Sequence, residues 1–245
     1  MLHQLKGTNT RIIGTLHRVP TGMISWLSRV LEQCKWAEEF AVEMLLANAP
    51  AIFSTPTNRT VSLLPSDLRA KLKDRWPAHL GPLEEANLPG ATLMAAMADM
   101  PTDPGVEYVV ESEAADGRPI HELEDASGFH AGFADIPASQ FATAIRMSLK
   151  RTPEHRAKRL IEFYERWEVG DRDELYATLV EELPPAFKVP MFVARNAAWS
   201  PRIASLARRQ AKLLVCVGAG HLCGPNNVLE FLERDHGIAA EEIRL

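Results

Sequence analysis

Two short segments of the sequence share one pattern, a glycine followed three positions later by a histidine. Gly14 leads to His17 and Gly218 leads to His221, and each glycine follows an apolar run typical of a buried strand. Residues just beyond the strands of an open α/β sheet lie where such folds bind ligands. Imidazole can bind a metal ion or exchange a proton near neutral pH. One copy would indicate no more than a turn, but two copies predict that both histidines face one site.

Two glutamates also follow predicted strands. Glu43 ends the run at residues 40–42, where an ionised carboxylate is costly unless it is paired or bound to a metal. Glu124 closes the run at residues 120–123 in the same way, although it has acidic neighbours. The alternative for each is a solvated carboxylate at a strand end. Together with the two histidines they form a nitrogen and oxygen set suited to Zn, Mn or Co, which would activate water for hydrolysis of a carbonyl substrate.

A polar pair, Arg195 and Asn196, interrupts an otherwise apolar segment, and Trp199 follows it. An arginine that enters a buried region needs a carboxylate partner or an anionic ligand. We therefore expect Arg195 to orient one of the glutamates or to stabilise a developing oxyanion. A structural ion pair is the alternative.

The sequence around these residues predicts an α/β fold, because apolar strands alternate with helical periodicity. Strands are expected at residues 11–13, 40–45, 120–123 and 212–217, with an edge strand in the tail. Helices are expected at residues 22–37 and 226–235, at residues 106–115 where the pattern is ambiguous, and from Ser200-Pro201 as N-cap and first helical residue.

No linker divides the 245 residues. We predict one domain over residues 1–245, in which a central mixed sheet is flanked by helices. A helical insertion is expected at about residues 50–100, and a further helical segment at about residues 137–182.

Composition excludes several classes of protein. The 27 Lys+Arg and 32 Asp+Glu give a net charge of −5, so there is no basic surface to predict a nucleic-acid partner. No stretch reaches the ~18 apolar residues of a transmembrane helix. The N-terminus does not read as a signal peptide, so the numbered chain is expected in the cytoplasm, or in the periplasm or outside the cell if a leader was removed. The Gly218 segment is one residue too long for the dinucleotide fingerprint, and no other common catalytic motif is present.

Several segments, taken in order, resemble a known family. They are Gly14-Thr15-Leu16-His17 with Pro20, Val42-Glu43-Met44, Gly105-Val106-Glu107, Gly117-Arg118-Pro119-Ile120, Leu123-Glu124, Gly170-Asp171, Arg195-Asn196 with Trp199, and Gly218-Ala219-Gly220-His221-Leu222 with Gly224. On these segments the chain resembles the TraB/PrgY/GumN family, which is related to the Tiki metalloproteases and the EreA/ChaN-like superfamily.

The resemblance implies an EreA/ChaN-like α/β fold in which the paired Gly-x-x-His motifs face one pocket. It also implies a divalent-metal-dependent hydrolase, above all a peptidase, with Mn, Co or Zn as cofactor. The residues to which it assigns metal or catalytic roles are His17, Glu43, Glu124 and His221, with Arg195 and Asn196 as catalytic supports. The glutamate that does not bind the metal would act as general base.

Two other functions remain open at this point. The family usually has a second acid close after Glu43, but Met44 and Leu45 follow here, which favours a regulator that binds a peptide or signal without cleaving it. The ChaN branch binds haem, for which His17 or His221 would be the axial ligand. The expected partner is a peptide or small molecule, and a homo-oligomer is left open.

Overall fold

The candidate residues are carried by a mixed sheet. The structure is a computed structural model that describes residues 1–54, 60–97, 100 and 102–243. Its strands are β1 (Leu2–Leu5), β2 (Thr10–Thr15), β3 (Arg18–Pro20), β4 (Glu39–Val42), β5 (Thr102–Pro104), β6 (Ile120–Glu122), β7 (Leu213–Gly218) and β8 (Ala240–Glu242).

Within these residues, six strands form one sheet in the order β6-β4-β7-β2-β1-β8, and β3 pairs separately with β5. The neighbours β6, β4, β7 and β2 run parallel, whereas β1 is antiparallel to both β2 and β8. The predicted mixed α/β sheet is therefore confirmed, and the tail supplies its edge strand.

The parallel strands end at one edge of the sheet. Glu124 follows β6, Glu43 follows β4, His221 follows β7 and His17 follows β2, so the four residues come after adjacent strands. This order places the two histidines and the two glutamates along the carboxyl edge, where α/β sheets bind ligands.

Helices pack on the sheet and also form a second layer of their own. They are α1 (Leu27–Trp36), α2 (Ala51–Ser54), α3 (Ser66–Lys73), α4 (Leu88–Met97), α5 (Val106–Ala114), α6 (Ala126–Ala131), α7 (Ala138–Lys150), α8 (Pro153–Val169), α9 (Arg172–Glu182), α10 (Pro185–Lys188), α11 (Ala194–Ala207) and α12 (Val228–His236). The predicted helical insertion at about residues 50–100 contains α2, α3 and α4, while its residues 55–59 and 98–99 lie outside the described residues.

The buried apolar residues form two clusters. One surrounds the sheet and includes Ile13, Val42 and Trp199. The other joins α3, α4, α6 and α7, and Phe129 and Phe141 are among its buried members. Phe129 also lies beneath the Arg195 guanidinium, whose carbon is 5.5 Å from the ring centroid. The second cluster therefore reaches the carboxyl edge of the sheet.

Some predicted bounds were wrong. The strand expected at residues 40–45 ends at Val42, and the helix expected from residue 22 begins at Leu27. The helix expected to begin at Ser200-Pro201 begins at Ala194, directly after a π-helical turn over Val189–Val193, and Pro201 lies inside it. Proline cannot donate to the carbonyl four residues earlier. Here the Ser200 hydroxyl donates to that carbonyl of Ala197, at 3.3 Å, and so compensates for the missing bond.

No helix in the described part of the chain is both long enough and apolar enough to cross a membrane.

Candidate functional site

A buried ion-pair network lies at the carboxyl edge and is centred on Arg195 in the first turn of α11. Its Nη2 is 2.6 Å from Oε2 of Glu43, and its Nε is 2.9 and 3.1 Å from the two carboxylate oxygens of Glu124. A further contact joins Nη2 to Oε1 of Glu124. No more than a tenth of each side chain is exposed. One guanidinium thus pairs with both predicted glutamates.

Arg195 and Asn196 together fix the second histidine. Nη1 of Arg195 is 3.2 Å from Nε2 of His221, and Oδ1 of Asn196 is 2.7 Å from its Nδ1. Because a guanidinium only donates hydrogen bonds, Nε2 of His221 must accept, and its Nδ1–H donates to Asn196. Trp199 packs on the imidazole, with ring centroids 4.4 Å apart. Burial lowers the pKa of His221 to about 3, so the ring is neutral.

The environment of Glu43 keeps its carboxylate ionised. Burial alone would raise its pKa, but the positive charges of Arg195 and His17 lower the pKa to about 2. Gly218 adds a hydrogen bond, because its backbone N–H donates to Oε1 at 2.5 Å. For Glu124 burial dominates and raises the pKa against the effect of Arg195.

His17 is held by a carboxylate that was not among the predicted site residues. Its Nδ1 lies 3.0 Å from Oε1 of Glu107, and that carboxylate raises the pKa of His17. Thr15 donates its hydroxyl proton to the same oxygen. The His17 side chain is 61% exposed but that of Glu107 only 6%. Glu107 belongs to the Gly105-Val106-Glu107 motif, yet nothing in the sequence connects it with a histidine so distant in the chain.

Side chains from both Gly-x-x-His motifs lie close to the backbone of Gly218. A methyl group built on this glycine would lie 3.1 Å from Oε1 of Glu43, 3.5 Å from Nε2 of His17 and 3.6 Å from Cδ2 of His221. These three side chains therefore surround one point at the ends of β2, β4 and β7. The structure brings together three of the four predicted ligands, and separates Glu124 from them by Arg195.

The three donors fit a divalent metal in type. Each histidine has its Nδ1 bound to a neighbouring side chain, an arrangement usual for metal-binding histidines. Nε2 of His17 faces the point at Gly218, whereas Nε2 of His221 accepts from Arg195. Glu43 adds a carboxylate oxygen. In the described residues, no three His, Cys, Asp or Glu side chains already stand at the spacing of a metal site. Metal binding would therefore need a local rearrangement of the hydrogen bonds that Arg195 and Gly218 make to Glu43 and His221.

A cavity of about 660 Å³ adjoins the network on its β6 side. Glu124 and Arg195 line it, along with small residues from α6 and α11. The buried pair is thus reached from solvent through this cavity.

A model of the TraB/PrgY/gumN family matches residues 1–241 of the chain. The matched region includes both Gly-x-x-His motifs and all the residues of the network. No curated protein and no solved structure matches the chain.

Proposed function

The chain belongs to the TraB/PrgY/gumN family, and from this premise we propose that it is a metal-dependent hydrolase that cleaves a peptide bond. The observation that supports the proposal is the meeting of His17 Nε2, Glu43 Oε1 and His221 around Gly218, at the ligand-binding edge of the sheet. Two imidazoles and one carboxylate are a donor set that suits Mn, Co or Zn.

In this proposal His17, Glu43 and His221 hold the metal. Glu124 does not, because Arg195 lies between its carboxylate and the other three side chains. When bound, the metal would supply a Lewis acid for the scissile carbonyl and would lower the pKa of water.

The remaining residues move the proton and hold the ligands. Glu124 lines the cavity and is the proposed general base: it takes a proton from the water whose oxygen bonds to the peptide carbonyl carbon. It then returns that proton to the amine nitrogen as the carbon–nitrogen bond breaks. Arg195 pairs with both carboxylates, so that Glu43 stays ionised while burial leaves the pKa of Glu124 raised. Asn196 fixes the ring of His221.

The test is metal content and peptide cleavage in three variants. The wild type, prepared without chelator and supplied with Mn, Co or Zn, is expected to bind one equivalent and to cleave members of a peptide pool followed by mass spectrometry. His17→Ala and His221→Ala are expected to lose both properties and remain folded. His79→Ala changes an exposed histidine remote in sequence from both motifs and should behave as the wild type.

A regulator that binds peptides without cleaving them is the second candidate. This function is favoured because Arg195 already pairs with both carboxylates and contacts Nε2 of His221. The charges of the two glutamates are therefore balanced without a metal ion. A wild type that binds none of the three metals, yet gives saturable heat with a peptide pool and no product, would establish this function instead.

Gly218→Ala is expected to block the pocket with little cost to the fold. The backbone at this position has φ of −50°, which alanine adopts freely, and the added methyl would press on side-chain ends rather than backbone. The free energy of unfolding should change by less than about 1–2 kcal/mol, whereas metal affinity should fall by at least about tenfold. Isothermal titration with Zn measures the affinity. Gly128→Ala, whose methyl would meet nothing closer than 3.5 Å, is the control; equal affinities in both variants would contradict the assignment of the pocket.

A further inference from the structure

We propose that Glu107 is the positioning residue of His17: it holds Nδ1 of the ring, so that Nε2 is the nitrogen presented to the pocket at Gly218. Which chemistry Nε2 then performs rests on the proposed function, but the orientation of the ring does not.

The contacts of Glu107 are what an orienting carboxylate requires. Its Oε1 receives Nδ1–H of His17 at 3.0 Å and the hydroxyl of Thr15. Its Oε2 is buried and has no hydrogen-bond partner in the described part of the chain. A buried acceptor left unsatisfied costs about 1–3 kcal/mol. The contacts of Oε1 with His17 and Thr15 must therefore offset this cost.

The backbone supports the same contact. Glu107 lies in the first turn of α5, where the partial positive charge of the helix terminus favours a carboxylate. The N–H of Gly105 donates to the carbonyl of His17 at 3.1 Å, and that of Val106 donates to Leu16 at 3.0 Å. A methyl group on Gly105 would lie 1.8 Å from the carbonyl oxygen of Leu16, so only glycine allows α5 to begin this close to the end of β2. The start of α5 therefore fixes both the backbone and the ring of His17.

His221 shows the same arrangement on the other side of the pocket. Asn196 binds its Nδ1, and its Nε2 faces Arg195 and Glu43. The difference is burial: His221 is enclosed by Trp199 and other residues, but the ring of His17 is exposed. The orientation of His17 should therefore depend on Glu107 more than that of His221 depends on any single neighbour.

The test is the imidazole tautomer of His17 in the metal-free protein, read by ¹⁵N NMR of the ring nitrogens at a pH where the ring is neutral. The signal is assigned by its loss in His17→Gln. The wild type is expected to carry the proton on Nδ1. Glu107→Met removes the acceptor but keeps a side chain of similar length that suits burial, and should shift the proton to Nε2. Glu107→Ala should do the same, and it serves if the methionine variant does not fold.

Glu113→Met, on the same helix, is the matched control, because Glu113 meets Arg118 through its backbone carbonyl. It should keep the wild-type tautomer. In the metal-loaded protein, Glu107→Met should lower metal affinity or kcat by about 10- to 100-fold with KM unchanged. A chain that neither binds metal nor cleaves peptides would overturn the proposed function and leave the tautomer result valid. An Nδ1–H tautomer that persists in both Glu107 variants would overturn the role of Glu107.

Discussion

Replacement of Arg195 by methionine is expected to lower the free energy of unfolding by about 3–5 kcal/mol, the usual cost of breaking a buried ion pair by removing one partner. The guanidinium is the shared cation of Glu43 and Glu124, whose side chains are each only 8% exposed. Without it two neighbouring carboxylates stay buried with no opposite charge. His221 would also lose the donor to its Nε2. Urea unfolding at pH 7.5 measures the change.

Two further variants separate this explanation from a general effect of replacing an arginine in α11. Arg202→Met removes an exposed arginine of the same helix, and its effect should stay within about 0.5 kcal/mol. The double variant Arg195→Met with Glu124→Gln should regain part of the lost stability, because it removes one of the two unpaired charges. A loss in Arg195→Met no larger than that in Arg202→Met would show that the network does not stabilise the fold.

The position of the four strand-end residues could be predicted, because it depends only on the sequence pattern of each strand and of the residues that follow it. An apolar run that ends in a glycine or a charged residue marks where a buried strand leaves the sheet, and parallel strands all end at one edge. His17, Glu43, Glu124 and His221 could therefore be assigned to one edge before any contact was known.

The partners of these residues could not be predicted in this way. Arg195 had three open roles, and its contact with both glutamates depends on α11 beginning at Ala194, which the helix-start signal of Pro201 conceals. Glu107 reaches His17 only because Gly105 lets α5 pack against the end of β2. Such contacts join segments far apart in the chain and are set by packing, which no local pattern encodes.

Three of the short strands were not predicted from the sequence. The strand β1 and the pair of β3 and β5 are four residues or fewer, and their pattern of burial does not alternate. Their pairing is decided by the longer strands and loops beside them rather than by their own composition.

Acidification is expected to destabilise the protein through His221. The pKa of this histidine is about 3 in the folded chain against 6.5 in the unfolded chain, because burial disfavours the charged ring. Between these values the unfolded state binds a proton that the folded state does not, so stability falls as the pH falls through this window. At about 1.4 kcal/mol per pH unit, the loss between pH 6.5 and pH 4 is about 3 kcal/mol. Glu43, whose pKa falls from 4.5 to about 2 on folding, adds a further loss below pH 4.5.

His17 has the opposite effect on the pH dependence of stability, because folding raises its pKa. Its contribution to stability is present below pH 6.5 and is lost as the pH rises through about 9. Stability should therefore be greatest near neutral pH. Urea unfolding at pH 7, 6, 5 and 4 measures the loss of stability on acidification. In His221→Gln the free energy of unfolding should fall less steeply between pH 6.5 and 4.5, because one proton fewer is taken up on unfolding. His79→Gln, an exposed control, should leave the slope of the wild type. Equal slopes in His221→Gln and the wild type would mean that His221 is not buried as the neutral ring, and that the hydrogen bonds of its Nε2 and Nδ1 are not those described above.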